Sequence, residues 1–319
     1  MVDILGNYTL NDHVRTDALA DVYRATDTSL GRTVTVKVLR PAVAADPTRR
    51  DAVLSAAREA IPLSHPNVVE LFEVGETSGR HFLAFEHVAG ETLRATVAGT
   101  PLNVRKAVDF GAQLADALAE AHGRGLVHRG LRPETIMVTA KGRPKILDFG
   151  LAPAHSAVSS PDGNPQASPD DVECLSPEQV LGEHGDERTD VFALGCVLFE
   201  MLTGTSPFAA ATGADTAVAI LGRTPPPPSQ MNARVPEALD RLVMNCLAKS
   251  LDRRAGSAAA IASQLRDIAA QMEIDENTGT HAVPQFAMPN AERRSRLGLV
   301  LLLLGVLAGV VWALLLFTR

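Results

Sequence analysis

Hydrophobic and polar residues change their spacing along the chain. Residues 34–39 alternate Val with Thr and Lys, and residues 81–86 contain a short apolar run rich in Phe; both patterns are typical of β-strands. Residues 107–121 and 190–202 are longer, and their apolar side chains recur at helical spacing. Early strands followed by later helices predict an α+β fold, in which the two kinds of element are segregated.

The last part of the chain has a different pattern. Residues 297–317 contain no charged side chain and are mostly Leu and Val. As a helix they would extend about 31 Å, enough to cross the hydrocarbon core of a bilayer. Arg293, Arg294 and Arg296 precede this segment, and only Arg319 follows it. Because positive residues concentrate on the cytoplasmic side, we expect a single-pass membrane protein whose N-terminal domain is cytoplasmic.

Two further features belong to the predicted membrane helix. Residues 271–296 before it are polar and include Pro284 and Pro289, which is typical of a flexible juxtamembrane linker. Inside it, Gly305 and Gly309 have the spacing that lets two membrane helices approach closely. A homodimer through these glycines is one interpretation. The other is that this common spacing has no such role.

Composition narrows the possible functions. Hydrophobic residues make up 46% of the chain but aromatic residues only 4%, so its core must consist mainly of Ala, Val and Leu. The net charge of −7 gives no reason to expect nucleic-acid binding. Cys174, Cys196 and Cys246 lie far apart without metal-ligand spacing, which favours reduced structural thiols in a cytosolic domain.

Five motifs occur in a fixed order. They are Val34-Thr35-Val36-Lys37, His65-Pro66-Asn67-Val68-Val69, His128-Arg129-Gly130-Leu131-Arg132-Pro133-Glu134-Thr135, Asp148-Phe149-Gly150 and Ser176-Pro177-Glu178. This set resembles the protein kinase family, and most closely bacterial Ser/Thr kinases with a membrane span after the kinase domain. The resemblance implies a two-lobed fold over residues 8–270, with an N-lobe at about 8–87, a C-lobe at about 88–270 and an ATP site between them. It also implies a buried ion pair between Glu178 and Arg254.

The third motif, the catalytic loop, departs from the family pattern at two positions. Gly130 stands where the family has the Asp that serves as base, and Thr135 stands where it has a magnesium-binding Asn. Glycine has no side chain to orient or deprotonate a substrate hydroxyl, and loss of a general base typically costs about 10²–10⁴-fold in rate. We therefore assign no catalytic residue. Asp148 stays the expected metal ligand, unless its motif serves only as a turn and packing element.

The loop that covers the phosphates in the family departs as well. Arg15, Asp17 and Ala20 occupy its three glycine positions. Side chains at these positions would obstruct a close approach by the backbone. Asp17 would also bring negative charge towards phosphate, and Arg15 would offset only part of it.

Lys37 matches the family's phosphate-contacting lysine. The position of its glutamate partner falls on Ala56, and Glu59, one helical turn further on, is an alternative partner. Without a partner, we expect Lys37 to be a solvated cleft lysine. The vestigial ATP site implied by the resemblance comprises Lys37, Asp148, Val22, Phe85, Met137 and Leu147. Because Thr35 and Phe85 add bulk there, we expect no tight ATP binding and no required cofactor, with weak binding of ATP and Mg as the alternative.

These losses predict a pseudokinase with degraded catalytic motifs. We expect the chain not to be an enzyme but a membrane-tethered signalling scaffold or regulatory binding module, whose partners are cytoplasmic signalling proteins such as an active kinase. One alternative is an atypical Ser/Thr protein kinase with residual ATP-dependent phosphoryl transfer, which uses Glu134 or Asp171 as a displaced base. Another is a nucleotide-sensing switch. Arg132 replaces the lysine of the catalytic loop, which keeps the charge but changes its geometry.

Overall fold

The N-terminal part of the chain folds into a six-stranded antiparallel sheet. The computed structural model describes residues 3–149, 151, 169–183 and 185–278, and the strands of this sheet follow the order β1-β2-β3-β4-β6-β5. Their bounds are β1 Asp3–Leu5, β2 Tyr8–Thr16, β3 Ala20–Asp27, β4 Arg32–Leu39, β5 Leu71–Thr77 and β6 Arg80–Glu86. The strands predicted at 34–39 and 81–86 are thus confirmed as β4 and β6, which lie side by side with Lys37 opposite Leu83.

Two helices follow β4 and cover one face of this sheet. They are α1 Pro41–Ala44 and α2 Pro47–Ala60. Asp46 begins α2 as its N-cap, because its side chain accepts hydrogen bonds from the amides of Thr48 and Arg49. The apolar side of α2, which includes Val53 and Leu54, packs into one cluster with residues of β4, β5 and β6. This packing places α2 beside the strand that carries Lys37.

The remaining described residues form a mainly helical lobe. Its elements are β7 Gly90–Thr92, α3 Leu93–Val97, α4 Val104–Gly123, β8 Ile136–Thr139, β9 Pro144–Ile146, α5 Pro169–Val172, α6 Pro177–Val180, α7 Glu187–Thr203, α8 Gly213–Gly222, α9 Glu237–Cys246 and α10 Ala258–Thr278. The helices predicted at 107–121 and 190–202 are confirmed as α4 and α7. These two pack closely, since a Cβ on Gly111 would lie 2.6 Å from Leu198 Cδ2. The two-lobed α+β architecture is therefore confirmed.

The last described helix differs from the predicted domain boundary. α10 continues past residue 270 to Thr278, into the range expected to be a linker. Residues 271–278 contain neither Gly nor Pro, and Gly279 is the first helix breaker after them. The expected membrane helix at 297–317 and the rest of the linker lie outside the described residues. Among the helices that the structure describes, none is long and apolar enough to span a bilayer.

Candidate functional site

Lys37 projects from β4 into the cleft between the sheet and the helical lobe, where it lies between two carboxylates. Its Nζ is 2.7 Å from Asp148 Oδ1 and 3.5 Å from Asp17 Oδ2. The residue is only 4% exposed. The expectation of a solvated cleft lysine is therefore wrong. Burial of this side chain depends on the β2–β3 turn folding over it, a contact that no local pattern encodes.

The turn between β2 and β3 is shaped by Asp17 in place of glycine. Asp17 Oδ1 accepts hydrogen bonds from the amides of Leu19 at 2.9 Å and Ala20 at 2.8 Å, and the Asp17 amide donates to the Ala20 carbonyl. A carboxylate that binds amides two and three residues ahead stabilises such a turn. Arg15 is exposed on β2. The expected negative charge is thus present at Lys37, whereas Arg15 points to solvent on β2.

Helix α2 supplies no carboxylate to Lys37. Ala56 occupies the position expected for the glutamate, and Glu59 is exposed on the same helix. Among the described residues, Lys37 forms its ion pairs with Asp17 and Asp148. The alternative in which Glu59 substitutes for the missing glutamate is therefore not what the structure forms. The positive charge of the Lys37 ammonium is therefore neutralised by carboxylates in the cleft and not by a glutamate on α2.

The backbone of the catalytic loop is hydrogen-bonded to the buried helix α7. The Asp190 carboxylate accepts hydrogen bonds from the amides of His128 and Arg129, both at 2.8 Å. His128 in turn contacts the Leu147 carbonyl through Nε2 at 2.7 Å, and its ring meets Phe149 edge-on with centroids 4.7 Å apart. His128 and Phe149 are 1% and 5% exposed, so both are core residues.

Two residues beside these contacts have a left-handed backbone. Arg129 has φ of 60° and Asp148 has φ of 65°. Such conformations are uncommon for residues other than glycine, and they persist where the surroundings impose them. At Arg129 the imposing contact is the hydrogen bond to Asp190. At Asp148 the ion pair with Lys37 fixes the side chain in the cleft.

Thr135 braces the catalytic loop from within. Its hydroxyl can donate a hydrogen bond to the Gly130 carbonyl at 3.1 Å or to the Arg132 carbonyl at 3.0 Å. The same hydroxyl accepts a hydrogen bond from the Arg132 amide at 3.0 Å. The hydroxyl therefore serves the loop backbone. Of the two positions expected to bind magnesium, only Asp148 stays a candidate ligand.

A single carboxylate fits magnesium in this setting. Mg²⁺ commonly keeps several waters and binds through one or two carboxylates together with substrate phosphates. Across the described residues, no group of three or more His, Cys, Asp or Glu side chains is arranged to hold a metal. Asp148 would thus hold Mg²⁺ jointly with the phosphates of a bound nucleotide.

Arg132 of the catalytic loop is paired with a carboxylate from the segment before α6. Its NH1 lies 2.7 Å from Asp171 Oδ1, and the side chain of Asp171 is 45% exposed. Burial acts to lower the pKa of Arg132, but the hydrogen bond that Arg132 donates to Asp171 raises it above its usual value. The other displaced-base alternative, Glu134, is 3.9 Å from Arg132 and is engaged by Arg94 at 2.5 Å. Of the two carboxylates, Asp171 is the more available.

The sequence interpretation missed the cluster around Arg94. This guanidinium on α3 contacts three carboxylates from separate parts of the helical lobe, Glu134, Glu173 and Glu200. Burial raises the pKa of Glu200, although the Arg94 charge acts in the opposite direction. Four residues so far apart along the chain have no spacing signal, so only the folded structure brings them together. The cluster joins the catalytic loop to α3 and α7.

The residues expected to line the ATP site, apart from Lys37 and Asp148, differ in burial. Val22 and Phe85 are buried, and Met137, Leu147 and Thr35 are half-buried. Phe85 and Leu147 belong to one apolar cluster, while Val22 lies opposite Lys37 in the pairing of β3 with β4. Thr35 Oγ1 is hydrogen-bonded to His87 Nδ1 at 3.1 Å. The cleft therefore combines apolar walls with a polar contact between β4 and the segment that follows β6.

Comparison with known proteins gives consistent matches. Residues 9–265 match the family model described as "Protein kinase domain". Serine/threonine-protein kinase PknB of Mycolicibacterium smegmatis is 35% identical over 263 residues, which cover 81% of this chain and 42% of that protein. Serine/threonine-protein kinase PrkC of Bacillus subtilis is 33% identical over 247 residues, which cover 77% and 38%. The chain therefore spans less than half the length of these curated relatives.

A solved structure agrees with these relatives. The crystal structure of the Mycobacterium tuberculosis PknI kinase domain matches with a TM-score of 0.66 and 25% identity. The match covers 83% of this chain and 97% of that domain. The expected kinase-like fold is therefore confirmed over most of the chain.

The relatives also correct one expectation. From Gly130 and the other losses we expected the chain not to be an enzyme, whereas relatives at 31–35% identity are named serine/threonine-protein kinases. That expectation is wrong, since the family is one of enzymes. In physical terms, the loss of one carboxylate leaves the ion pair of Lys37 with Asp148 and the support from Asp190 in place. The chain belongs to the protein kinase family, and its residues 9–265 form a protein kinase domain of the bacterial Ser/Thr kind.

Proposed function

We propose that the chain is an atypical bacterial Ser/Thr protein kinase, which binds ATP with Mg²⁺ between its lobes and transfers the phosphoryl group slowly. The observation that carries this proposal is the contact of 2.7 Å between Lys37 Nζ and Asp148 Oδ1 across the cleft. These are the two groups that handle phosphate and magnesium in the family. Their approach is supported by the buried contacts of His128 and Phe149.

Each charged group has a distinct role in this proposal. Lys37 would bind the nucleotide phosphates, and Asp148 would hold Mg²⁺, which neutralises phosphate charge when it is bound. Phosphoryl transfer depends mainly on positioning and charge stabilisation. A domain that keeps these two groups therefore keeps part of the catalytic effect without a carboxylate at position 130.

Gly130 determines how fast the reaction runs. Loss of a general base typically lowers the rate by about 10²–10⁴-fold. Asp171 is the carboxylate that we infer takes up the proton of the acceptor hydroxyl, because Arg132 holds it beside the loop at 2.7 Å and it is 45% exposed. A base in this displaced position would be less well aligned than one within the loop, which is consistent with slow transfer.

A nucleotide-sensing switch is the second candidate. It is favoured by the turn between β2 and β3, where Asp17 lies 3.5 Å from Lys37 and Ala20 replaces a glycine. In this alternative, nucleotide would displace Asp17 and change the relation between the lobes, and a cytoplasmic signalling protein would bind one of the two states. Binding without turnover distinguishes it from the first candidate.

The location of the domain is also a proposal. Its support is the uncharged segment 297–317 with its preceding arginines. We infer a cytoplasmic domain tethered to the membrane by this segment. Fractionation of cells that express the full chain or a chain lacking residues 297–317 tests it, and a full chain recovered without membranes would contradict it.

The enzyme proposal is tested by ATP-dependent labelling. The purified full chain is incubated with radiolabelled ATP, Mg²⁺ and a Ser/Thr-rich acceptor protein, beside the variants Lys37→Ala and Asp148→Ala. We expect slow labelling that both variants abolish and that chelation of Mg²⁺ stops. Lys141→Ala, at an exposed turn, is the matched control. Labelling that survives both cleft variants would contradict the proposal, and ATP binding without labelling would favour the switch.

A further inference from the structure

Asp17 places a fixed negative charge at the phosphate end of the cleft. One carboxylate oxygen accepts from the amides of Leu19 and Ala20, and the other lies 3.5 Å from the Lys37 ammonium. Backbone amides and a lysine ammonium are also the donors that phosphate-binding loops offer to nucleotides. We propose that Asp17 is an internal substitute for phosphate, and that it makes the cleft discriminate against nucleoside polyphosphates relative to uncharged nucleosides. This inference rests on the proposed function in requiring that the cleft binds a nucleotide.

The position of this carboxylate is built into the fold. The turn that carries it is anchored by the Leu19 carbonyl, which accepts a hydrogen bond from the Arg40 amide at 2.9 Å. Leu19 and Ala20 are 2% and 1% exposed and belong to the apolar cluster that includes β4 and α2. Lifting the turn would expose Leu19 to water, which opposes any movement of Asp17 away from Lys37.

The charges around Lys37 explain why the cleft would disfavour polyphosphates and not uncharged nucleosides. One ammonium faces two carboxylates, Asp17 and Asp148, so these three groups together carry one excess negative charge. A polyphosphate would add further negative charge in a partly buried site, where repulsion is stronger than in water. An uncharged nucleoside adds none. The polyphosphate must therefore displace Asp17 or arrive with Mg²⁺.

In the opposite role, Asp17 would promote the binding of ATP. With Asp148 it would form a pair of carboxylates that holds Mg²⁺ and thereby assists ATP. Removal of the Asp17 charge then weakens ATP binding instead of strengthening it. The two roles predict opposite signs for the same substitution.

The test compares Asp17→Asn with the native full chain. The amide oxygen of the substituted side chain can accept the same two backbone hydrogen bonds, so the turn is kept while the charge is removed. Affinities for ATP, with and without Mg²⁺, and for adenosine are measured by calorimetry on the chain purified in detergent. We expect ATP to bind about tenfold or more tightly to the variant, with the larger gain in the absence of Mg²⁺ and with adenosine unchanged.

Asp21→Asn is the matched control. Asp21 lies on the same hairpin and accepts from Thr16 Oγ1 at 2.6 Å, so this variant removes one carboxylate charge close in sequence to Asp17 and outside the contacts of Lys37. ATP affinity that is unchanged or weaker in Asp17→Asn, or an equal gain in Asp21→Asn, overturns the inference. If the native chain binds ATP and Asp17→Asn has no effect, the proposed function survives and only the inference falls. If neither ATP nor adenosine binds to any variant, both fall.

Discussion

Glu178 and Arg254 form a buried, two-pronged ion pair. Arg254 NH1 lies 2.7 Å from Oε1 and NH2 lies 2.9 Å from Oε2, and the side chains are 6% and 0% exposed for Glu178 and Arg254. Thr189 donates a further hydrogen bond to Glu178 at 3.0 Å. Burial would raise the pKa of Glu178, but the hydrogen bonds from Arg254 hold that pKa below its usual range. The pair joins α6 to the residues between α9 and α10, as the family resemblance implied.

Removing one partner of this pair is expected to destabilise the domain. Glu178→Gln leaves Arg254 buried without a counter-charge, and such losses typically cost about 3–5 kcal/mol. The free energy of unfolding is measured in urea. Glu237→Gln is the control, since Glu237 pairs with Arg241 on α9 with side chains 83% and 68% exposed, and exposed pairs contribute less than about 1 kcal/mol. Equal small effects in both variants would contradict the structural role.

Restoring a carboxylate in the catalytic loop should raise phosphoryl transfer. The described glycines with positive φ do not include Gly130, so its backbone conformation does not require glycine. We expect Gly130→Asp to increase the labelling rate by about 10²-fold, the lower end of the effect of a general base. Gly130→Asn, of similar size but without the basic carboxylate, should have little effect. An equal increase with Asn would show that side-chain bulk, not basicity, is responsible.

Asp171 should be required only while the loop lacks its own base. We expect Asp171→Asn to lower the residual transfer rate at least about tenfold. Asp170→Asn is the matched control, because only the carbonyl of Asp170 contacts Arg132. In the Gly130→Asp background, Asp171→Asn should cost much less. A loss of the same size in both backgrounds would assign Asp171 to positioning Arg132.

Lys249 should make stability increase with pH in the alkaline range. Burial lowers its pKa from 10.5 to about 8, partly offset by its position 3.7 Å above the centre of the Phe208 ring. Between about pH 8 and pH 10.5, the folded state binds fewer protons than the unfolded state, so the free energy of unfolding rises with pH. Below about pH 8, Lys249 is protonated in both states and contributes no pH dependence. Lys249→Met keeps the apolar stem and cannot titrate.

The measurement for Lys249 is a difference between two proteins. Urea unfolding of the native chain and of Lys249→Met is compared from pH 7 to pH 10, so that all shared titrations cancel. The native chain should gain stability relative to the variant as the pH rises above about 8. A difference that is constant or falls with pH would contradict the lowered pKa.

The parts of the fold that could be predicted are those marked by apolar runs, helical spacing or family motifs. β4, β6, α4 and α7 follow from apolar runs and their spacing, and the pair of Glu178 with Arg254 follows from the family motifs. The linker was expected to begin at residue 271, whereas α10 continues to Thr278, because residues 271–278 are polar yet contain no helix breaker. Polarity alone did not distinguish a solvated helix from a linker.

The site was predicted less well because its properties depend on tertiary contacts. The motifs brought Lys37 and Asp148 together correctly, but not the burial of Lys37 under the turn that contains Asp17. The cluster of Arg94 with three glutamates had no signal at all. The comparisons overturned the expectation, drawn from Gly130 and the other departures, that the chain is not an enzyme, because relatives at 31–35% identity are named serine/threonine-protein kinases.

Asp190 has a consequence for how the cleft would respond to a ligand. Its carboxylate anchors the backbone of His128 and Arg129 to α7, whose residues are nearly all buried, whereas Lys37 belongs to the sheet. Any change in the distance between Lys37 and Asp148 would therefore be taken up by the sheet more readily than by the loop. A ligand that changes the separation of Lys37 from Asp148 would be reported at the outer strands, with the loop itself unchanged.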